Sequence, residues 1–130
     1  MIKSNCPCGR QRAYANCCER PHQNRIHAFT AEDLMRSRYT AFTKIMGDYL
    51  VETHHSSTQH LIDKDEIITW AKSVKWLNLE VLNVNGGEED GLKGTVEFKA
   101  HFKTGGKKQL IHENSYFEKE FGLWMYVKAI

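Results

Sequence analysis

No cysteine follows Cys18, and the four that the chain contains, Cys6, Cys8, Cys17 and Cys18, fall within thirteen residues. The sequence has no charge excess either: 18 Lys and Arg face 16 Asp and Glu, for a formal +2. That balance gives no electrostatic case for nucleic acid or an anionic membrane as the main partner. No apolar run approaches bilayer length, and Met1-Ile2-Lys3-Ser4-Asn5 does not read as a signal peptide. Repeats and low-complexity segments are absent too. A cytoplasmic protein is therefore expected, in a compartment where thiols stay available to metal rather than pairing as disulfides. At 130 residues, 41% hydrophobic and 26% charged, the chain suffices for one ordinary folded domain and is too short for two.

What the chain does have is a cysteine cluster of the form C-x-C, eight residues, then C-C. Pro7 and Gly9 flank Cys8, so a tight turn can aim two sulfurs inward. Adjacent Cys17 and Cys18 normally point apart, so a bend is required there. Apart from Tyr14 the segment has almost no large apolar side chain, so metal ligation would have to supply its folding free energy. A closed zinc site with four thiolates is the reading these features favour. Two disulfides (Cys6–Cys17 with Cys8–Cys18) and free redox-active thiols are the competing arrangements, and His22 could replace one thiolate.

The string Cys6-Pro7-Cys8-Gly9 with Tyr14-x-x-Cys17-Cys18 resembles the SEC-C motif, the zinc knuckle also found at the C-terminus of the bacterial translocation motor SecA. Gly9-Arg10-Gln11 stands where family copies usually read Gly-Ser-Gly. The resemblance implies zinc as cofactor and, through the knuckle, a protein partner.

Further along, Glu19 to Ala28 is polar and aperiodic, and reads as a linker. Thr30 is placed to cap a helix with Glu32 and Asp33 in its first turn. Met35, Tyr39, Phe42 and Met46 recur as one apolar stripe, and Gly47 is expected to end it. Asp48 should cap a second short helix running towards His54. A polar stretch from His54 to His60 separates this from a third helix, which starts near Asp63 or Asp65 and carries Ile67, Ile68, Ala71 and Val74. The period then changes to alternation. Leu77, Leu79 and Val81 form one strand, and Val96, Phe98, Ala100 and Phe102 a half-buried second. Thr104-Gly105-Gly106-Lys107 reads as a hairpin, Gln109 to Lys119 as a third strand, and Leu123 to Val127 as a fourth after Phe121-Gly122. The fold class is therefore α+β: an N-terminal zinc knuckle over residues 1–22, then residues 28–130 as three helices on a curved four-stranded antiparallel sheet enclosing a cone.

Leu34-Met35-Arg36-Ser37-Arg38-Tyr39-Thr40-Ala41-Phe42 is similar to the signature of the YchJ family of bacterial proteins. Asp48-Tyr49-Leu50 with His55, Trp76-Leu77-x-Leu79, Gly94-Thr95-Val96-Glu97-Phe98, His112-Glu113-x-Ser115-x-Phe117 and Trp124-Met125-Tyr126-Val127 match as well. His54 departs from the pattern, replacing a common tryptophan, as does the Lys128-Ala129-Ile130 ending. The likeness implies a domain like nuclear transport factor 2.

With Met35 at zero and about 100° per residue, Arg38 falls near −60°, at the stripe's edge, and Arg36 near +100°, towards solvent. Glu113 and Ser115 share a strand face with Ile111 and Phe117. The candidate pocket is thus Arg38, Tyr39, His55, Trp76, Glu113 and Ser115, with Arg38 for a carboxylate or phosphate and Glu113 or His55 as acid or base. The structural alternative is an Arg38–Glu113 ion pair with Ser115 satisfying a nearby backbone group. No nucleophile–base pair can be located from spacing, so no catalytic residue is assigned. An open sheet of this kind also suits a homodimer, on a face that alternation does not select.

Overall fold

A computed structural model of the chain describes residues 5–130. After a 3-10 turn at Tyr14–Asn16 come α1 (Glu19–Gln23), a second 3-10 turn (Arg25–His27), α2 (Ala31–Thr43), α3 (Gly47–Glu52), α4 (Ser56–Gln59) and α5 (Lys64–Ser73). Four antiparallel strands follow in sequence order: β1 (Lys75–Gly86), β2 (Lys93–Thr104), β3 (Lys107–Glu120) and β4 (Leu123–Ala129). The α+β architecture is the expected one, with two short helices added.

Thr30 caps α2 by accepting from the Asp33 amide at 3.0 Å, and Asp63 caps α5 by accepting from Glu66. The end of α2 differs from expectation. It closes at Thr43, with Met46 N–H donating to Ala41 O at 2.8 Å and Ile45 N–H to Phe42 O, the paired bonds of a Schellman motif. Ile45 takes the left-handed position at φ 57°, so a β-branched residue stands where glycine is usual. Gly47 does a different job, in the first turn of α3: a Cβ there would come within 2.7 Å of Ile68 Cδ1, so its bareness lets α3 pack against α5.

Two segments read as irregular are helical. Glu19–Gln23 coils because Pro21 is buried and His22 is tied to α2, long-range contacts that leave no periodic trace. Ser56–Gln59 is capped by the His55 ring, which accepts from the Ser57 amide, and is held to β4 by Thr58 Oγ1 donating to Val127 O at 2.7 Å.

The β2–β3 and β3–β4 turns place Gly105-Gly106 and Phe121-Gly122 at positive φ, the two-residue hairpin geometry that matches strand twist. Register shifts in β1 at Trp76/Asn78 and Val81/Asn83 bend that strand, and Leu77, Leu82 and Val84 are left on the outer face. The sheet curls around α2, and the core joins Leu34, Met35 and Tyr39 to Leu79, Val96, Ala100, Phe117 and Trp124. No helix among the described residues is long and apolar enough to cross a membrane.

Candidate metal centre and cone pocket

Cys6, Cys8, Cys17 and Cys18 are all buried, and their Sγ atoms lie within 4.8 Å of one another. A tetrahedral zinc–thiolate site, with bonds of about 2.3 Å, separates its sulfurs by about 3.8 Å, so this donor set fits such an ion. Cys6 N–H donates to Arg12 O at 2.8 Å and Gly9 N–H to Cys6 O, which folds the segment around the first two cysteines into a knuckle. Gly9 sits at φ 93°, with the position of a Cβ only 3.2 Å from Leu79 O. The bend required between the last two cysteines lies at Cys17, at φ −136° and ψ −112°, and Cys18 then starts α1. The thiols are free, not disulfide-bonded. Without a cation they titrate against one another: hydrogen bonds from Cys18 and Cys8 pull the Cys6 thiol down. Cys8 is drawn down by Cys18 but pushed up more by Cys6 and burial, to about 11, while Cys18 is raised by both neighbours and burial. Four buried thiolates cannot coexist without a positive centre.

His22 is not placed as a ligand. Its Nε2 lies 2.7 Å from Ser37 O, which can only accept, so Nε2 carries the proton and Nδ1 accepts from the Tyr14 hydroxyl at 2.7 Å. Burial lowers its pKa and keeps this tautomer neutral.

The knuckle is bolted onto α2. Thr40, fully buried, donates its hydroxyl to Cys18 Sγ at 3.3 Å and lies 3.8 Å from Cys6 Sγ. Arg36, expected in solvent, donates to Cys8 O at 2.6 Å and pairs with Glu32 at 2.8 Å, because the knuckle supplies a second surface on the side of α2 away from the sheet. Arg10 reaches Asp33 at 2.7 Å. Sequence reasoning missed Thr40 and Ser37; their trace is two small hydroxyl side chains three apart on the helix face opposite the apolar stripe. Thr40→Val keeps the shape and removes the donor. The domain is expected to stay folded while metal affinity falls about tenfold to a hundredfold, read by competition with a chromogenic chelator.

The other face of α2 looks into a cavity of about 200 Å³. Arg38, Tyr39, Trp76, Glu113 and Ser115 line it, together with Phe42, Trp70, Phe98 and Tyr126. His55, placed in the pocket by sequence reasoning, lies outside, beside Glu118 at 3.6 Å and Glu120 at 3.9 Å; capping α4 turns its ring away from the cone. The Arg38–Glu113 ion pair is also absent, since no carboxylate among the described residues pairs with Arg38. Instead Nη1 donates to Leu50 O at 2.8 Å and Thr53 Oγ1 at 2.6 Å, and the guanidinium sits 4.9 Å from the Tyr126 ring centre. Burial draws its pKa down to about 10, so the group is still charged at neutral pH. Ser115, rather than bonding the backbone, donates to Glu113 Oε2 at 2.6 Å, and the Tyr126 hydroxyl approaches the same oxygen at 3.5 Å. Burial first, then Glu113, raises Tyr126 to about 12, so that hydroxyl is a donor. Trp76 Nε1 is buried with no partner among the described residues. Tyr126 and Trp70 were missed. Inward alternation with Trp124 pointed to the first; Trp70 follows Ile67 on the inward face of α5.

His54 packs edge-on against Tyr126 at 5.2 Å and donates from Nε2 to Thr58 Oγ1 at 2.8 Å. Burial, then the nearby Arg38 charge, lowers its pKa to about 4. The unfolded chain therefore takes up this proton first, so stability should fall as pH drops from about 6.5 to 4, and level off below. Urea midpoints across that range should show the slope, and His54→Gln should flatten it.

The model of the YchJ middle domain, described as NTF2-like, matches residues 30–129, and the SEC-C motif model matches residues 4–20. A UPF0225 protein of Vibrio vulnificus is 41% identical over 126 residues, covering 97% of this chain and 74% of the relative. One of Chromobacterium violaceum is 41% identical over 134 residues, covering 100% and 95%. The solution structure of a SEC-C motif containing protein from Rhodopseudomonas palustris superposes with a TM-score of 0.86 at 39% identity, covering 98% of each chain. A crystal structure of another from Psychrobacter arcticus gives 0.79 at 33%, covering 95% of this chain and 80% of that one. The four clustered thiols lie within the SEC-C match, on a domain whose match is NTF2-like, and the chain belongs to the YchJ family.

Proposed function

We propose that this protein is a zinc-stapled binding protein for a small organic molecule. Zinc held by Cys6, Cys8, Cys17 and Cys18 fixes α2, and the cone on the other side of α2 receives the ligand. The observation that carries this reading is that one helix serves both sites: Ser37 and Thr40 face the knuckle, while Arg38 and Tyr39 line the cavity. A closed set of four thiolates supplies folding free energy and leaves no open position for Lewis-acid chemistry. Of the two roles open to the knuckle, structural support and protein interaction, its packing on α2 favours support. The cavity holds a charged group without an ionic partner inside mostly aromatic walls, which is the pattern of a ligand site rather than of a filled core.

Metal analysis of protein purified without added zinc tests the first half. One equivalent of zinc and unreactive thiols are expected; much less than one equivalent, with four freely titratable thiols, would remove the assignment. A thermal-shift screen of small aromatic compounds tests the second half, with a rise in melting temperature expected for binders and no response from any compound counting against the pocket.

A further inference from the structure

Arg38 keeps accessible surface although protein surrounds its side chain, so that surface opens into the cone. Its two inward hydrogen bonds both use Nη1; Nη2 and Nε have no partner among the described residues. Glu113 shows the same division. Its Oε2 accepts from Ser115 and Tyr126, while Oε1 has no partner among the described residues. None of these free atoms is sealed off, since among the described residues the buried side-chain atoms without partners are His27 Nδ1 and Trp76 Nε1. Tyr126 spans the gap between the two charges, its ring against the guanidinium and its hydroxyl towards the carboxylate. The cone therefore presents a donor and an acceptor with Tyr126 between them, and aromatic rings around them.

We propose that the ligand is a flat, uncharged aromatic heterocycle with adjacent C=O and N–H groups, its carbonyl accepting from Arg38 and its N–H donating to Glu113 Oε1. Two charge-assisted hydrogen bonds would then satisfy both ions at once. A purely anionic ligand would suit Arg38 but meet the Glu113 carboxylate, and a cation would meet the reverse. A zwitterion would suit both, but would bring two further charges between mostly aromatic walls, at greater desolvation cost than an amide edge. Trp70 meets Phe42 and Trp76 edge to face, Phe42 and Trp76 are tilted against each other, and the three offer ring surfaces to a planar guest. This inference rests on the cone being a ligand site.

Three bicyclic probes of similar size separate the possibilities: quinazolin-4-one with both groups, 2-naphthoate with the acceptor alone, and 2-naphthylmethylamine with the donor alone. Binding can be followed by tryptophan fluorescence and calorimetry on the full zinc-loaded chain. Quinazolin-4-one should bind at least tenfold more tightly than either other probe. Glu113→Gln, which can still accept from Ser115 and Tyr126, should raise 2-naphthoate affinity at least tenfold by removing the repulsion. Equal affinities for the three probes, or an unchanged 2-naphthoate affinity in Glu113→Gln, would overturn the proposed recognition while leaving the pocket standing. Binding of none of them would take the pocket reading down as well.

Discussion

Replacing Cys8 with serine is expected to unfold the cone as well as the knuckle. Cys8 is completely buried, and its own carbonyl holds Arg36. The segment it staples covers a face of α2 on which Ser37 and Thr40 are fully buried. If the knuckle lets go, Thr40 loses its sulfur partner, the Ser37 carbonyl loses the His22 proton, and Arg36 is exposed beside Glu32. Structural zinc sites contribute on the order of 10 kcal/mol of folding free energy, comparable to the whole stability of a small domain. Cys8→Ser should therefore lose the near-ultraviolet circular dichroism of the cone tryptophans, with a melting transition at least ten degrees lower or none at all. A detached appendage would leave that spectrum and transition in place.

Arg38→Ala is expected to cost about 2–4 kcal/mol and to abolish ligand response. Removing a buried, unpaired charge relieves desolvation, which taken alone favours the mutant. Against this, the Leu50 carbonyl and the Thr53 hydroxyl lose their donor in a closed space, and the Tyr126 ring loses its cation. Thr53 is fully buried and already donates to Tyr49 O, so nothing else can satisfy its oxygen. The losses outweigh the relief. Arg38→Lys keeps the charge but not the fork, and should fall between wild type and alanine in urea denaturation. If Arg38→Ala matched wild type, the guanidinium would have no role in holding α2 to α3.

Where the sequence was legible, a single local rule decided the outcome. Thr30 and Asp63 are caps whose side chains bond three residues ahead, and β2 alternates because one of its faces is covered. Glycine pairs and glycine-containing turns set the hairpins. The four-cysteine cluster was legible because thiols so close together have few other uses. What escaped was decided by contacts distant in sequence. The helix at Glu19–Gln23 exists because Ser37 and Tyr14 hold His22 from both sides. Arg36 looked solvent-facing because a helical wheel knows one buried stripe, whereas α2 is covered on two sides. Gly47 looked like a helix stop, but its bareness answers to Ile68, some twenty positions away. The Arg38–Glu113 pair was reasonable from faces alone, yet Leu50, Thr53 and Tyr126 claim the guanidinium first.

The most direct test of the link between metal and pocket is to withdraw zinc gradually with a chelator that reports its release by colour, and to follow tryptophan near-ultraviolet circular dichroism in the same sample. If the metal holds α2 in place, the two signals change together, and restoring zinc recovers both. If zinc leaves in full while the tryptophan signal of the cone persists unchanged, the knuckle does not support the pocket.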